Sequence, residues 1–259
     1  MNIHIIMIHY KTMIDLHTHL LFDMDDGAKD LNDSLALFNI QKNQGVHKVV
    51  LTPHFEAFRD DLDQFISNRS KNAETLQNAL DKDIEFKLGA EVLFTVDLLN
   101  MDLNKLVIEG TDYILFEFST RGYVSDVKRH MMTFIQQGYL PIFAHIERYS
   151  FLKDDLSLMK ELVEMGVLFQ VNASTFINHE QHSFIKACMK NNLIHLVASD
   201  AHSQSKRPCN LSDAYAVIEQ EYGIDTVNYL KDNAECVYHN ELVEVKEPKV
   251  IRKFLKKYY

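Results

Sequence analysis

Seven short apolar runs punctuate this chain, and each is followed within a few residues by a histidine, a carboxylate or an asparagine. The runs are Met13–Leu16, Lys48–Leu51, Phe86–Leu88, Tyr113–Phe116, Pro141–Phe143, Val167–Val171 and His195–Val197. Segments of helical period lie between them at Asp30–Gln44, Asp60–Leu80, Ser125–Gln137 and Asp154–Met165. Gly45, Gly138 and Gly166 follow three of these segments, at the position where helices commonly stop. Alternation of this kind predicts a parallel sheet covered by helices. Seven units are too many for a small open sheet and nearly enough for a TIM barrel. The expected fold class is therefore α/β, a closed or nearly closed (β/α)7 barrel, with an open doubly wound sheet as the alternative.

In a parallel barrel every strand's C-terminal end lies on one face, where barrel enzymes keep their chemistry. His17 and His19 follow the first run in IDLHTH, His54 the second, Glu91 the third, Glu117 the fourth and His145 the fifth. Asn172 follows the sixth, and Asp200 and His202 the seventh in LVASDAH. Taken singly, each has an ordinary explanation. A lone histidine after a strand is more often a satisfied core residue, H-x-H is a weak signal, and a glutamate there can serve a helix N-terminus. Their coincidence on one rim is harder to explain, because so many polar groups are costly to bury without partners. Metal ions would offset that cost for all of them. Histidines with carboxylates and no thiolate suit Mn, Fe or Zn. There are more donors than one ion needs, so two or three divalent ions bridged by a carboxylate are expected. Closely spaced ions bind phosphoryl oxygens and activate water, which points to hydrolysis of a phosphate ester.

Composition narrows the remaining choices. The chain has 259 residues, 46% of them hydrophobic, with sparse Pro and Gly and no stretch that reads as a linker, so one domain over 1–259 is expected. A formal net charge of −10 without a basic run argues against a nucleic-acid partner. Cys188, Cys209 and Cys236 form no C-x-x-C pair, and an odd count argues against a disulfide framework; a reducing cytoplasm fits. No hydrophobic run is long enough to span a bilayer, so direct membrane insertion is not expected. Residues 1–12 read as a short extension, or else Met13 is the true start. Asp23 and Asp25 have the bland reading of an acidic turn ending at Gly27.

With these positions in view, the sequence resembles the PHP (polymerase and histidinol phosphatase) superfamily and, within it, the bacterial CpsB/CapC-type tyrosine phosphatases. The matching segments are MIDLHTHLLFDMDDGAKD, TPHF, GAEV, ILFEF, PIFAHIERY, FQVNAS and ASDAHS, running from Met13 to about Pro208. The resemblance implies a distorted (β/α)7 barrel with a trinuclear centre, manganese being the first expectation. Carried over by position, His17, His19, Glu91 and Asp200 would hold one ion. Glu91 would bridge to a second held by Glu117 and His145, and Asp26, His54 and His202 would hold a third. Asp26 stands where many superfamily members have a histidine. Arg148 in HIER and Arg207 in KRP would contact substrate phosphate, for which guanidinium is well shaped. A surface salt bridge is the rival reading for Arg207. Asn172 reads equally as a support for the centre or as a turn residue.

The function expected from the resemblance is hydrolysis of phosphotyrosine on a protein. The partner would be an autophosphorylating tyrosine kinase of capsule or exopolysaccharide export. A phenolate leaving group with a pKa of about 10 needs little acid assistance; His202 or a metal-held water are the alternatives for that proton. No cysteine heads a C-x5-R phosphate loop, so covalent cysteine chemistry is not expected. Histidinol-phosphate phosphatase, amidohydrolase, phosphodiesterase and non-catalytic binding module are the competing readings. The terminal Tyr258 and Tyr259 read as a frayed end, with a phosphorylated tail or oligomer contact as the alternative.

Overall fold

The structure is a computed structural model that describes residues 13–120, 125–179 and 182–249, together with the backbone of a short antiparallel pair, 253–254 with 257–258. The proposed N-terminal extension lies outside the described residues, as do the side chains of the C-terminal tyrosines.

The barrel is laid down in chain order. β1 (Met13–Thr18) leads to α1 (Leu31–Asn43), then β2 (Val46–Leu51) and β3 (His54–Phe55), α2 (Leu62–Ala79), β4 (Glu85–Leu88), β5 (Glu91–Leu93) and a 3-10 turn at Val96–Asn100. β6 (Tyr113–Glu117), α3 (Val127–Gln136) and β7 (Leu140–Phe143) follow, then a 3-10 turn at Ile146–Arg148 with α4 (Ser150–Asp154) and α5 (Leu156–Glu164). The chain continues through β8 (Leu168–Asn172), α6 (Ala173–Ile177), α7 (His182–Lys190), β9 (Leu196–Ala198), α8 (Leu211–Tyr222) and α9 (Ile224–Tyr238).

β1, β2 and β4 pair in one parallel sheet, and β3, β5, β6, β7, β8 and β9 pair in another. β2 and β3 are one strand jogged at Thr52-Pro53, and β4 and β5 are one strand jogged at Gly89-Ala90. These jogs hand the pairing from the first sheet to the second, so seven staves result, as the alternation predicts. The seam between the first and last staves is short. A parallel bridge joins Thr18 to Ala201, Asp200 N donates to His17 O (2.9 Å) and His19 N donates to Ala201 O (2.9 Å). The sheet therefore closes at its C-terminal rim, which excludes the open doubly wound alternative.

Gly45, Gly138 and Gly166 all carry positive φ, the backbone that ends α1, α3 and α5. Asp30, Asp61 and Asp155 accept from amides of the first turns of α1, α2 and α5. Asp155 also divides the predicted Asp154–Met165 helix from α4, because its non-helical backbone (φ −142°, ψ 83°) cannot continue a helix.

Inside the barrel, Ile14, Leu16, Val50, Leu115, Ile142 and Leu168 pack with Ala234, Val237 and Tyr238 of α9, which plugs the end opposite the site. A larger apolar cluster lies between the staves and the outer helices. A register irregularity in β1 between Asp15 and Thr18 lets Leu16 fill the inner core while its neighbour His17 lines the rim. The fully buried Asp15 ties the seam from behind: its carboxylate accepts from Ser199 N (2.9 Å) and from Gln41 Nε2 (2.8 Å). Asp15→Ala would leave both donors buried and unsatisfied. A loss of about 1–3 kcal/mol of stability is expected, read as a lowered denaturant midpoint at unchanged slope.

Candidate metal centre

The jogs and the register irregularity deliver polar side chains to the rim from every stave. His17, on β1, and His19, the residue just past its end, bring their Nε2 atoms within 3.2 Å of each other. Glu91, at the head of β5 and fully buried, lies at the middle of the group. Its Oε2 is 3.1 Å from His17 Nε2, His19 Nε2 and His54 Nδ1, and its Oε1 is 2.5 Å from His145 Nε2. Glu117, at the end of β6, reaches within 3.2 Å of His54 Nδ1 and 3.9 Å of His145 Nε2. Asp26 Oδ1 lies 3.5 Å from His54 Nε2 and 3.3 Å from His202 Nε2. The His19 and His202 rings stack at 3.8 Å between centroids.

Three overlapping sets have ligand atoms within 4.8 Å of one another: His17, His19, Glu91 and Asp200; His54, Glu91 and Glu117; and His19, Asp26, His54 and His202. The structure thus brings together every residue singled out from the sequence as a ligand. The grouping differs in detail from the expected one. His54 faces both Glu117 and Asp26, His19 touches two sets, and His145 approaches through Glu91. His54 Nδ1, Glu91 Oε2, Asp200 Oδ1 and His202 Nε2 are buried and make no hydrogen bond. Unsatisfied donors and acceptors converging on one space are costly unless something fills it. Divalent cations fit this donor set: imidazole nitrogens and carboxylate oxygens without thiolate.

Supporting residues fix the rings. Asp25 is held in place by Gly27 N (2.9 Å) and His54 N (3.0 Å) and sets its Oδ2 2.6 Å from His19 Nδ1. The acidic-turn reading of Asp25 therefore gives way to a ring-orienting role. Gly27 is needed because a Cβ there would meet His19 O at 2.1 Å. Gln170 accepts from His145 N (2.9 Å), lies 3.2 Å from His17 Nδ1 and donates to Asn172 Oδ1 (2.9 Å). Asn172 in turn donates to Asp200 Oδ2 (2.6 Å), tying that carboxylate to β8. The Tyr149 hydroxyl accepts from Phe118 N and sits 2.9 Å from His145 Nδ1. His145 (φ +29) and Asp200 (φ +53) both hold positive φ, a strained backbone for a non-glycine residue. Gln170, Tyr149 and Asp25 carry no signal in the sequence beyond closeness to ligand positions.

Both arginines converge on the rim. Arg148 Nη2 donates to Asp200 Oδ2 at 2.7 Å, and Arg207 donates to the same oxygen. They border a cavity of about 370 Å³ lined also by Asn172, Ser174, Asn178 and Lys206. Arg207 is thus part of the rim and not an isolated surface pair.

Burial disfavours charge on His19, but Asp25 more than compensates and raises its pKa to about 9. His54 is likewise raised to about 9, against its burial, by Glu117 and Glu91. Burial lowers His202 to about 3, assisted by the facing His19. Glu91 is held well below the usual carboxylate range: burial opposes its ionisation, and His17 and His145 outweigh it.

Two measurements follow from this electrostatics. Below pH 9 a cation must displace protons from His19 and His54, so metal affinity should rise with pH toward about 9. Calorimetry in buffers of different ionisation enthalpy should register proton release on binding near pH 7. Asp25→Ala should weaken metal binding about 10–100-fold with the fold retained, as read by metal-buffered titration and circular dichroism.

The family model for capsular polysaccharide synthesis, CpsB/CapC, matches residues 13–239. The chain is 32% identical over 250 residues to the tyrosine-protein phosphatase CpsB of Streptococcus agalactiae, with 89% of this chain and 100% of the relative covered. It is 30% identical over 253 residues to the tyrosine-protein phosphatase YwqE of Bacillus subtilis, with 93% and 97% covered. A solved structure from the pair YwqE of Bacillus subtilis and CpsB of Streptococcus pneumoniae, described as unique metal-dependent tyrosine phosphatases, superposes with a TM-score of 0.83. That match has 28% identity and covers 93% of this chain and 100% of the other. The histidinol phosphate phosphatase of Lactococcus lactis shares the fold, with a TM-score of 0.52 at 13% identity over 84% and 94% of the two chains. With the family match spanning every candidate ligand and both arginines, this chain belongs to the CpsB/CapC family.

Proposed function

We propose that this protein is a metal-dependent protein-tyrosine phosphatase acting as one catalytic domain. The observation that carries the reading is the position of two guanidiniums on the outer oxygen of Asp200, whose inner oxygen faces the histidine–carboxylate cluster. Family membership supports the substrate class, through relatives named as tyrosine-protein phosphatases.

His17, His19, Glu91 and Asp200 would hold one ion, Glu91, Glu117 and His145 a second, and Asp26, His54 and His202 a third. Manganese is the first choice, with iron and zinc suited to the same donors. Divalent ions bound there supply Lewis acidity toward phosphoryl oxygens and activation of a water nucleophile. The chain's own residues do the rest. Arg148 and Arg207 draw the phosphate dianion to the rim and neutralise its outer oxygens by paired N–H donors. Asn172 and Gln170 keep Asp200 from following the arginines outward. His202 donates its Nδ1 proton to the Asp200 carbonyl (2.9 Å) and turns a bare Nε2 toward Asp26, which suits a ligand better than a proton donor. The tyrosine phenolate leaves with little acid assistance because its pKa is about 10.

Among the described residues, no helix is long and apolar enough to cross a membrane. The substrate is a phosphotyrosine protein, in this reading a tyrosine kinase of the capsule or exopolysaccharide system, met in the cytoplasm.

Phosphate release from a phosphotyrosine peptide, a phosphoserine peptide and histidinol phosphate, with added Mn and then with chelator, tests the proposal. Selective, chelator-sensitive release from phosphotyrosine is expected. Selective release from histidinol phosphate would move the protein to small-molecule chemistry, and metal binding without turnover on any of them would overturn the catalytic reading. His17→Ala with Glu91→Ala should abolish activity together with metal content. Arg148→Ala should lower kcat about 100-fold or more while metal content, measured by mass spectrometry, stays at the wild-type level.

A further inference from the structure

Among the described residues, one cluster of ligand-type side chains stands apart from the barrel rim group. His179, His182 and Glu221 offer atoms that all lie within 4.8 Å of one another, and all three residues are exposed. They come from three places in the chain. His179 lies just beyond α6, His182 is the first residue of α7, and Glu221 is the last but one of α8. His179 Nδ1 is 3.6 Å from Glu221 Oε1, and the two imidazoles meet edge to face at 5.5 Å. Donors about 2.0–2.2 Å from a tetrahedral ion sit roughly 3.3–3.6 Å from each other. The first pair is already near that spacing, and the second imidazole needs only the side-chain rotation that exposure allows.

Two further features favour a cation here. Glu221 lies at the C-terminal end of α8, where the helix dipole favours positive charge. Among the described residues, Glu221 is paired with His179 and with no lysine or arginine, so no resident cation competes.

We propose that His179, His182 and Glu221 form a second divalent-cation site, separate from the catalytic centre and independent of its chemistry. Two imidazoles and one carboxylate suit zinc or a neighbouring late first-row ion, with water completing the shell. The ion fastens the end of α6 to α8.

The test uses the full chain with zinc alone as probe. Wild type, a His179→Ala, His182→Ala double variant and Glu221→Gln are equilibrated at low-micromolar buffered free zinc, and bound zinc per chain is measured by mass spectrometry. Both variants are expected to hold one zinc fewer than wild type, with unchanged circular dichroism. Their phosphotyrosine hydrolysis in Mn should match wild type. Zinc should also shift two exposed imidazole resonances in wild type that are missing from the double variant. Equal zinc content in all three proteins would overturn the site, whatever the phosphatase assay shows.

Discussion

A fully buried carboxylate organises this molecule. Glu91 has no exposed surface and faces four imidazoles, so its charge is tolerable only while they hold positions around it. Those imidazoles come from β1, from β3 and from the turn after β7, and the barrel is the device that brings them together. The jog at Gly89-Ala90 matters for the same reason. It places Glu91 in the half of its stave that pairs with β3 and β6, beside His54 and Glu117, and not in the half that pairs with β2. A straight stave would leave the carboxylate in the first sheet, away from two of its neighbours.

The seam is the second constraint. Its short pairing leaves the first and last staves to be joined by a few hydrogen bonds and by Asp15 from behind. Asp200 sits at that junction in left-handed backbone, and its two oxygens have different company. Oδ2 takes Asn172, Arg148 and Arg207, whereas Oδ1 lies 3.4–3.5 Å from His17, His19 and His202 without a hydrogen bond. One carboxylate thereby connects the cationic rim, suited to phosphate, with the cluster suited to metal. The arginines and the histidine–carboxylate cluster are mechanically one site.

Much of this was legible in the chain. Period and punctuation predict seven staves, and the residues that follow them are the ones the rim collects. Helices α8 and α9 are different. The alternation of strand and helix assigns nothing to 211–238, because no strand follows to mark those segments as crossovers. α9 earns its place by plugging the barrel, a role visible only once the inner cluster is assembled. Asp25 is a similar case. In sequence it is one acid among several in a glycine-ended turn, and only the contact with His19 Nδ1 distinguishes it from Asp23.

The sequence by itself determined the fold class, the donor types and the rim on which they gather, because strand period and parallel connection force successive strand ends to one face. The tertiary structure decided which donors share a space, which rings are held by Asp25, Gln170 and Tyr149, and that both arginines meet on Asp200. Those outcomes depend on the jogs, the register irregularity in β1 and the closure at the seam. Each is a cooperative result of packing across residues far apart in the chain, and no local pattern encodes them.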